Sequence, residues 1–177
     1  MDLIFIDTET TGLDPENDEI ISVALQVTDL QGNSKTLLAA CYFLPEKDPP
    51  PEVCKINGYD RHYWRTVCGA RPFAEQDAQW IASAVNGRQW CGSKPDFDFG
   101  FLSKACRKFD WPLKPKSHHL IDVPSMAWPL VASGQIESVR QRELTRLLLD
   151  REQAHGAASD VEDLIAIYRS LLGLVSL

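Results

Sequence analysis

Leu3-Ile4-Phe5-Ile6 is an unbroken apolar run that stops at Asp7-Thr8-Glu9. Such a run fits a strand covered on both faces, which calls for a sheet with helices on each side. Side chains two apart on a strand point the same way, so the Asp7 and Glu9 carboxylates leave the strand end together. The carboxyl end of a buried strand is where open α/β sheets bind ligands. Two like charges held that close disfavour each other's ionisation unless a cation neutralises them. A hard divalent ion with oxygen ligands, such as magnesium, would do so. The alternative at this point is a pair of acids that simply opens a solvated loop.

Ile20 to Thr28 alternates, with Ile21, Val23, Leu25 and Val27 sharing one face. Gln31-Gly32-Asn33-Ser34 is a turn signal, and Lys35 to Leu44 reads as a third strand of an antiparallel meander. Pro45 to Pro51, rich in proline, reads as an ordered loop. A helix is expected from Pro72 to a cap at Gly87, then a short strand over Arg88 to Cys91. Phe97 to Phe109 reads as a helix, His119 to Val123 as a strand, and Met126 to Leu149 as a helical region. In the last helix Val161, Leu164, Ile165, Tyr168, Leu171, Leu172 and Val175 form one stripe. Three strands followed by helices alternating with single strands imply one α/β domain over residues 1–177, a mixed sheet with helices on its faces.

On the helix from Phe97, Asp98 shares a stripe with Phe101, Leu102, Ala105 and Phe109, whereas Asp96 falls with Phe99, Gly100, Ser103 and Arg107. An unpaired carboxylate on an apolar stripe is unfavourable, so Asp98 rather than Asp96 needs an internal partner. A first-turn acid answering the helix dipole is the plainer alternative. Asp160 lies at the edge of the last stripe, while Glu162 and Asp163 point away from it and are expected in solvent. Ser159-Asp160-Val161-Glu162 matches a capping box with Ser159 as the cap. His155 can share a site with Asp160 only from a loop before that helix, because five helical residues turn it away; Gly156 favours such a loop.

Taken together, Asp7-Thr8-Glu9-Thr10-Thr11-Gly12-Leu13, Phe97-Asp98-Phe99-Gly100-Phe101-Leu102 and His155-Gly156-Ala157-Ala158-Ser159-Asp160 resemble, in order and separation, the three motifs of the DnaQ-like (DEDDh) 3′→5′ exonucleases. The resemblance spans nearly the whole chain. It implies a ribonuclease-H-like fold with a mixed five-stranded sheet and helices on both faces. It implies two metal ions, Mg2+ or Mn2+, held by Asp7, Glu9, Asp98 and Asp160, an arrangement that activates water and stabilises a leaving oxygen. His155 would be the general base, and Thr10 and Leu13 would lie at the terminal nucleotide. Nucleoside 5′-monophosphates would leave one by one from the 3′ ends of single-stranded DNA or RNA. The Tyr-based sister group is disfavoured, because Gly156 stands where its Tyr would be. Asn57-Gly58 with Trp64 resembles the turn that many members carry before their next helix. Many members also place His-Asn shortly before the second motif; Gly92-Ser93-Lys94-Pro95-Asp96 stands there instead, leaving Lys94 as a phosphate contact. The end of the chain soon after the last helix favours a free-standing enzyme, and homodimers occur among such relatives.

The net charge of −7 does not by itself suggest a phosphate ligand, although bound divalent ions would reverse the local field. Arg61, His62 and Arg65 read as a solvated basic cluster. His118-His119 is discounted as a metal pair, since adjacent strand residues face opposite ways. The five cysteines, Cys41, Cys54, Cys68, Cys91 and Cys106, form no C-x-x-C pair and read as reduced thiols. With no apolar run long enough to span a membrane and no leader pattern, the expected location is the cytoplasm. DNA is the leading substrate, RNA ends are the alternative, and a non-catalytic binding module or a small-molecule phosphodiesterase ranks behind them.

Overall fold

The computed structural model describes residues 1–175; the side chain of Val175, assigned above to the last stripe, lies outside the described residues. Strands β1 (Leu3–Thr10), β2 (Ile20–Thr28), β3 (Ala39–Tyr42), β4 (Gln89–Gly92) and β5 (Ile121–Asp122) form one sheet in the order β3-β2-β1-β4-β5. β3, β2 and β1 pair antiparallel, whereas β4 joins β1 and β5 joins β4 in parallel. This is the mixed five-stranded α/β sheet expected from the sequence. Helices α1 (Pro51–Asn57), α2 (Arg61–Thr66), α3 (Glu75–Val85), α4 (Pro95–Arg107), α5 (Trp128–Ala132), α6 (Gln141–Leu149) and α7 (Ala157–Val175) surround it.

β1 is buried on both sides, and its alternation divides the core. Ile4 and Ile6 pack with Ala78, Ile81 and Val85 of α3 and with Phe101 and Leu102 of α4. Leu3 and Phe5 pack with Val161, Leu164 and Tyr168 of α7. The Phe5 and Tyr168 rings meet edge to face at 5.4 Å, and the Tyr168 hydroxyl donates to the Leu30 carbonyl at 2.9 Å. By the same alternation, Asp7 and Glu9 emerge on the α7 side. Gly92 ends β4 where a Cβ would lie 3.2 Å from the Ile6 carbonyl oxygen, so the chain can turn closely into α4.

Several boundaries differ from the sequence reading. The third strand starts at Ala39 rather than Lys35, because residues 34–36 fold back on β2 irregularly: the Lys35 and Thr36 amides donate to the Val27 carbonyl, and the Thr36 hydroxyl accepts from the Val27 amide. α3 begins at Glu75 rather than Pro72, with the Asp77 carboxylate accepting the Ala74 amide at 2.9 Å. The expected helical region over Met126 to Leu149 is broken into a 3-10 turn (Pro124–Ala127), α5 and α6. Helix α1 was not anticipated; Gly58, at φ 68°, makes the turn expected at Asn57-Gly58, and α2 follows it. α7 starts at Ala157, so Ser159 is inside the helix and donates to the Gly156 carbonyl instead of capping. Asp163 is buried rather than solvated, because α6 and the following loop cover that face and supply Thr145 and Arg151 as partners. All five cysteines are free thiols; Cys91 and Cys106 are buried and the other three partly so. No helix among the described residues is long and apolar enough to cross a membrane.

Candidate active site

Asp7 and Glu9 stand opposite Ala24 and Ser22 of β2 at the end of β1. The first turn of α7 brings Asp160 beside them. One carboxylate oxygen from each of the three lies within 4.8 Å of the others, the only such cluster of His, Cys, Asp or Glu among the described residues.

Asp98 reaches β1 by another route. The parallel pairing of β1 with β4 stops at Phe5↔Cys91, so the end of β1 has no strand partner on that side. Asp98, in the first turn of α4, takes this place: its Oδ1 accepts the Thr8 amide at 2.9 Å and the Thr8 hydroxyl at 2.7 Å. It is 2% exposed, while Asp96 is exposed, which is the division expected from the helical stripe.

The four carboxyl groups disfavour each other's charge. Burial, then the charges of Asp98, Asp160 and Glu9, hold Asp7 well above the ordinary carboxylate range. Burial, then Asp160 and Asp98, push Glu9 up to about 8. Burial raises Asp98 to about 7 against the lowering effect of its two bonds from Thr8. Burial raises Asp160 to about 6, with Gln153 and His155 pulling it down. Asp160 Oδ2 accepts from Gln153 Nε2 at 3.0 Å, yet Oδ1 is buried and has no hydrogen-bond partner. A buried, partnerless carboxylate oxygen among like charges is satisfied by a proton or, once ionised, by a cation, and an all-oxygen donor set suits Mg2+ or Mn2+. The residues therefore fit a divalent metal centre.

His155 is exposed, in the loop before α7, with φ 51° and within electrostatic reach of Asp160. Thr10 is buried and its hydroxyl donates to the Gly12 carbonyl at 2.6 Å; Leu13, three residues on, is 84% exposed. The intervening bend is tightly built: a Cβ on Gly12 would sit 2.3 Å from the Asp18 carboxylate, which also accepts the Asp14 amide. A cleft of about 340 Å³ opens at Glu9, walled by Ser22, Tyr42, Asn57, Tyr63, Trp64 and residues 156–159. A larger cavity, about 540 Å³, contains Arg61, Arg65, Arg71, Lys104 and Lys108 but none of the clustered carboxylates; of the two, only the smaller cleft is lined by a member of the cluster, Glu9. Lys94 is exposed at the start of α4, and Arg61 is engaged by Asp48 and the Pro45 carbonyl. The His118 and His119 rings are exposed and 4.0 Å apart, outside the carboxylate cluster. Sequence reasoning missed Thr8 and Gln153. Thr8 could have been found from its place between two acids on the α4 side of β1; Gln153 depends on loop geometry and left no signal.

The model of the RNase T family, described as exonuclease, matches residues 4–168. The chain is 25% identical over 170 residues to the DNA polymerase III subunit epsilon of Treponema pallidum, covering 94% of this chain and 74% of that one. It is 28% identical over 188 residues to the oligoribonuclease of Xanthomonas campestris pv. campestris, covering 97% of this chain and 89% of that one. Among solved structures, an exonuclease I superposes with a TM-score of 0.81 at 21% identity, covering 97% of this chain and 41% of that chain. Escherichia coli exonuclease I in complex with a dA16 oligonucleotide superposes at 0.78 and 20% identity, covering 97% and 41%. The chain thus spans less than half the length of these exonuclease I chains.

Proposed function

The chain belongs to the RNase T exonuclease family, DnaQ-like and of ribonuclease-H-like fold, and on that footing we propose that it hydrolyses single-stranded DNA from the 3′ end, releasing nucleoside 5′-monophosphates. The observation that carries this reading is the carboxylate cluster itself: three acids within 4.8 Å, a fourth tied to the same strand, and a buried Asp160 oxygen without a partner. Asp7, Glu9, Asp98 and Asp160 would hold two divalent ions, which when bound supply charge neutralisation and Lewis acidity to a phosphodiester. Around them the protein's own groups divide the work. His155 accepts the proton of the attacking water, and its exposed loop position leaves it free to release that proton to solvent. Thr10 and the tight bend after it present Leu13 to the last base. The cleft beside Glu9, with Tyr63 half exposed, receives the terminal nucleoside.

RNA ends are the second reading, favoured by the match to an oligoribonuclease over 97% of the chain. The proposed location is the cytoplasm. The deciding experiment uses a 5′-labelled single-stranded DNA oligomer and its RNA twin with Mg2+, Mn2+ or chelator, wild type beside Asp98→Ala. A metal-dependent ladder shortening from the 3′ end, absent in the variant, supports the proposal, and the faster twin names the preferred sugar. No digestion of either strand overturns it.

A further inference from the structure

Asp160 and His155 belong to different parts of the chain's geometry, one in a regular helix and one on an exposed loop at positive φ, yet both must be placed against the same reacting centre. Two side chains of that loop reach onto successive turns of α7. Gln153 Nε2 donates to Asp160 Oδ2 at 3.0 Å, and the Arg151 guanidinium donates to the buried Asp163 carboxylate, which the Thr145 hydroxyl also approaches at 3.3 Å. Gln153 thereby occupies one oxygen of Asp160 and leaves the other, Oδ1, buried and without a partner. A carboxylate fixed by one hydrogen bond cannot rotate to offer either oxygen indifferently.

We infer that Gln153 is a positioning residue that orients Asp160 toward the metal centre and, through the same bond, ties the His155 loop to that centre, with the Arg151–Asp163 pair as the loop's second anchor. The inference rests on the nuclease reading above for what the site does, but the orientation of Asp160 is a property of the chain alone. The two anchors have separable effects. Losing the Gln153 bond frees Asp160 and removes one anchor of the loop; losing Arg151 removes the other anchor and leaves Asp160 held.

The test compares full-length wild type with Gln153→Met, Gln153→Ala and Arg151→Ala, measuring Mn2+ affinity by calorimetry and kcat and KM on a labelled oligonucleotide. Methionine keeps the volume of glutamine but has no donor. Both Gln153 variants should bind Mn2+ roughly 10-fold more weakly or worse, with kcat reduced and KM little changed. Arg151→Ala should reduce kcat while Mn2+ affinity stays at the wild-type value. Gln153→Met with wild-type Mn2+ affinity overturns the inference, because a packing role alone would then account for the residue. Equal loss of affinity in Arg151→Ala also overturns it, since general loosening of the loop would explain everything. If wild type digests no oligonucleotide, the nuclease reading fails, while the Mn2+ affinities still decide the role of Gln153.

Discussion

Burial and three like-charged neighbours, Asp98, Asp160 and Glu9, hold the Asp7 carboxyl above the ordinary range, and its replacement separates function from stability. Asp7→Asn removes one of several mutually repelling carboxylates while keeping the shape of the side chain. In chelator at pH 8 this variant should be more stable than wild type by on the order of 1 kcal/mol, a rise of roughly 2–4 °C in melting temperature. The same variant should lose nuclease activity. Calorimetric melting with parallel oligonucleotide digestion checks both halves; a variant no more stable than wild type contradicts the repulsion argument. Thr8 acts in the opposite sense, since its hydroxyl stabilises the charged form of Asp98. Thr8→Val should raise the Asp98 pKa further and move the acid limb of the pH–rate profile upward. An unchanged acid limb would mean that the hydroxyl does not matter to the charge on Asp98. That Asp98 rather than Asp96 is buried was legible from four apolar neighbours at helical spacing. Its bond to Thr8 was not, because it depends on where β4 stops pairing with β1.

At the scale of elements, the strands at the sheet centre and the two helices that bury their apolar stripes were readable from periodicity. What periodicity could not show were ends set by side-chain bonds. α3 begins three residues later than its proline suggests because Asp77, buried at 3% exposure, accepts the Ala74 amide and two bonds from the Arg71 guanidinium. Asp77→Ala would remove the cap and leave Arg71 without its partner. With Arg71 partly exposed, the expected loss is about 2 kcal/mol, or roughly 4–8 °C in melting temperature. Activity at low temperature should persist, because Asp77 is not one of the clustered carboxylates and its bonds go to Arg71 and Ala74 rather than to any of them. Asp163 teaches the same lesson from the other side. Its place off the apolar stripe of α7 implied solvent, but a helical wheel counts only its own helix. α6 covers that face with Thr145, and the loop beyond adds Arg151.

For the whole molecule, the site should make stability depend on pH and metal together. Glu9, Asp98 and Asp160 are raised to about 8, 7 and 6, and Asp7 is raised as well, whereas unfolded carboxyl groups titrate near 4. Between these values the folded chain binds more protons than the unfolded chain, so stability falls as pH rises. The cluster's contribution is fully present below about pH 4 and is lost progressively up to about pH 8. Asp2, Asp14, Asp29 and Asp48 have the opposite shift, but theirs lie below the ordinary carboxylate range and act in more acid solution. In chelator, melting temperature should therefore decline from pH 5 to pH 8. Divalent ions bind the ionised carboxylates, so Mg2+ should stabilise more at pH 8 than at pH 5, where protons compete for the same oxygens. At 100 times its dissociation constant an ion adds about 2.7 kcal/mol, enough to offset much of the decline. Calorimetry at the two pH values, with and without Mg2+, reads all four quantities. A metal-induced rise that is equal at both would mean that the ions bind elsewhere than on these four acids. The same net charge of −7 that spoke against a phosphate ligand from composition would then have been a sound guide, for without metal the four acids at the end of β1 repel a phosphate backbone as their carboxyls ionise.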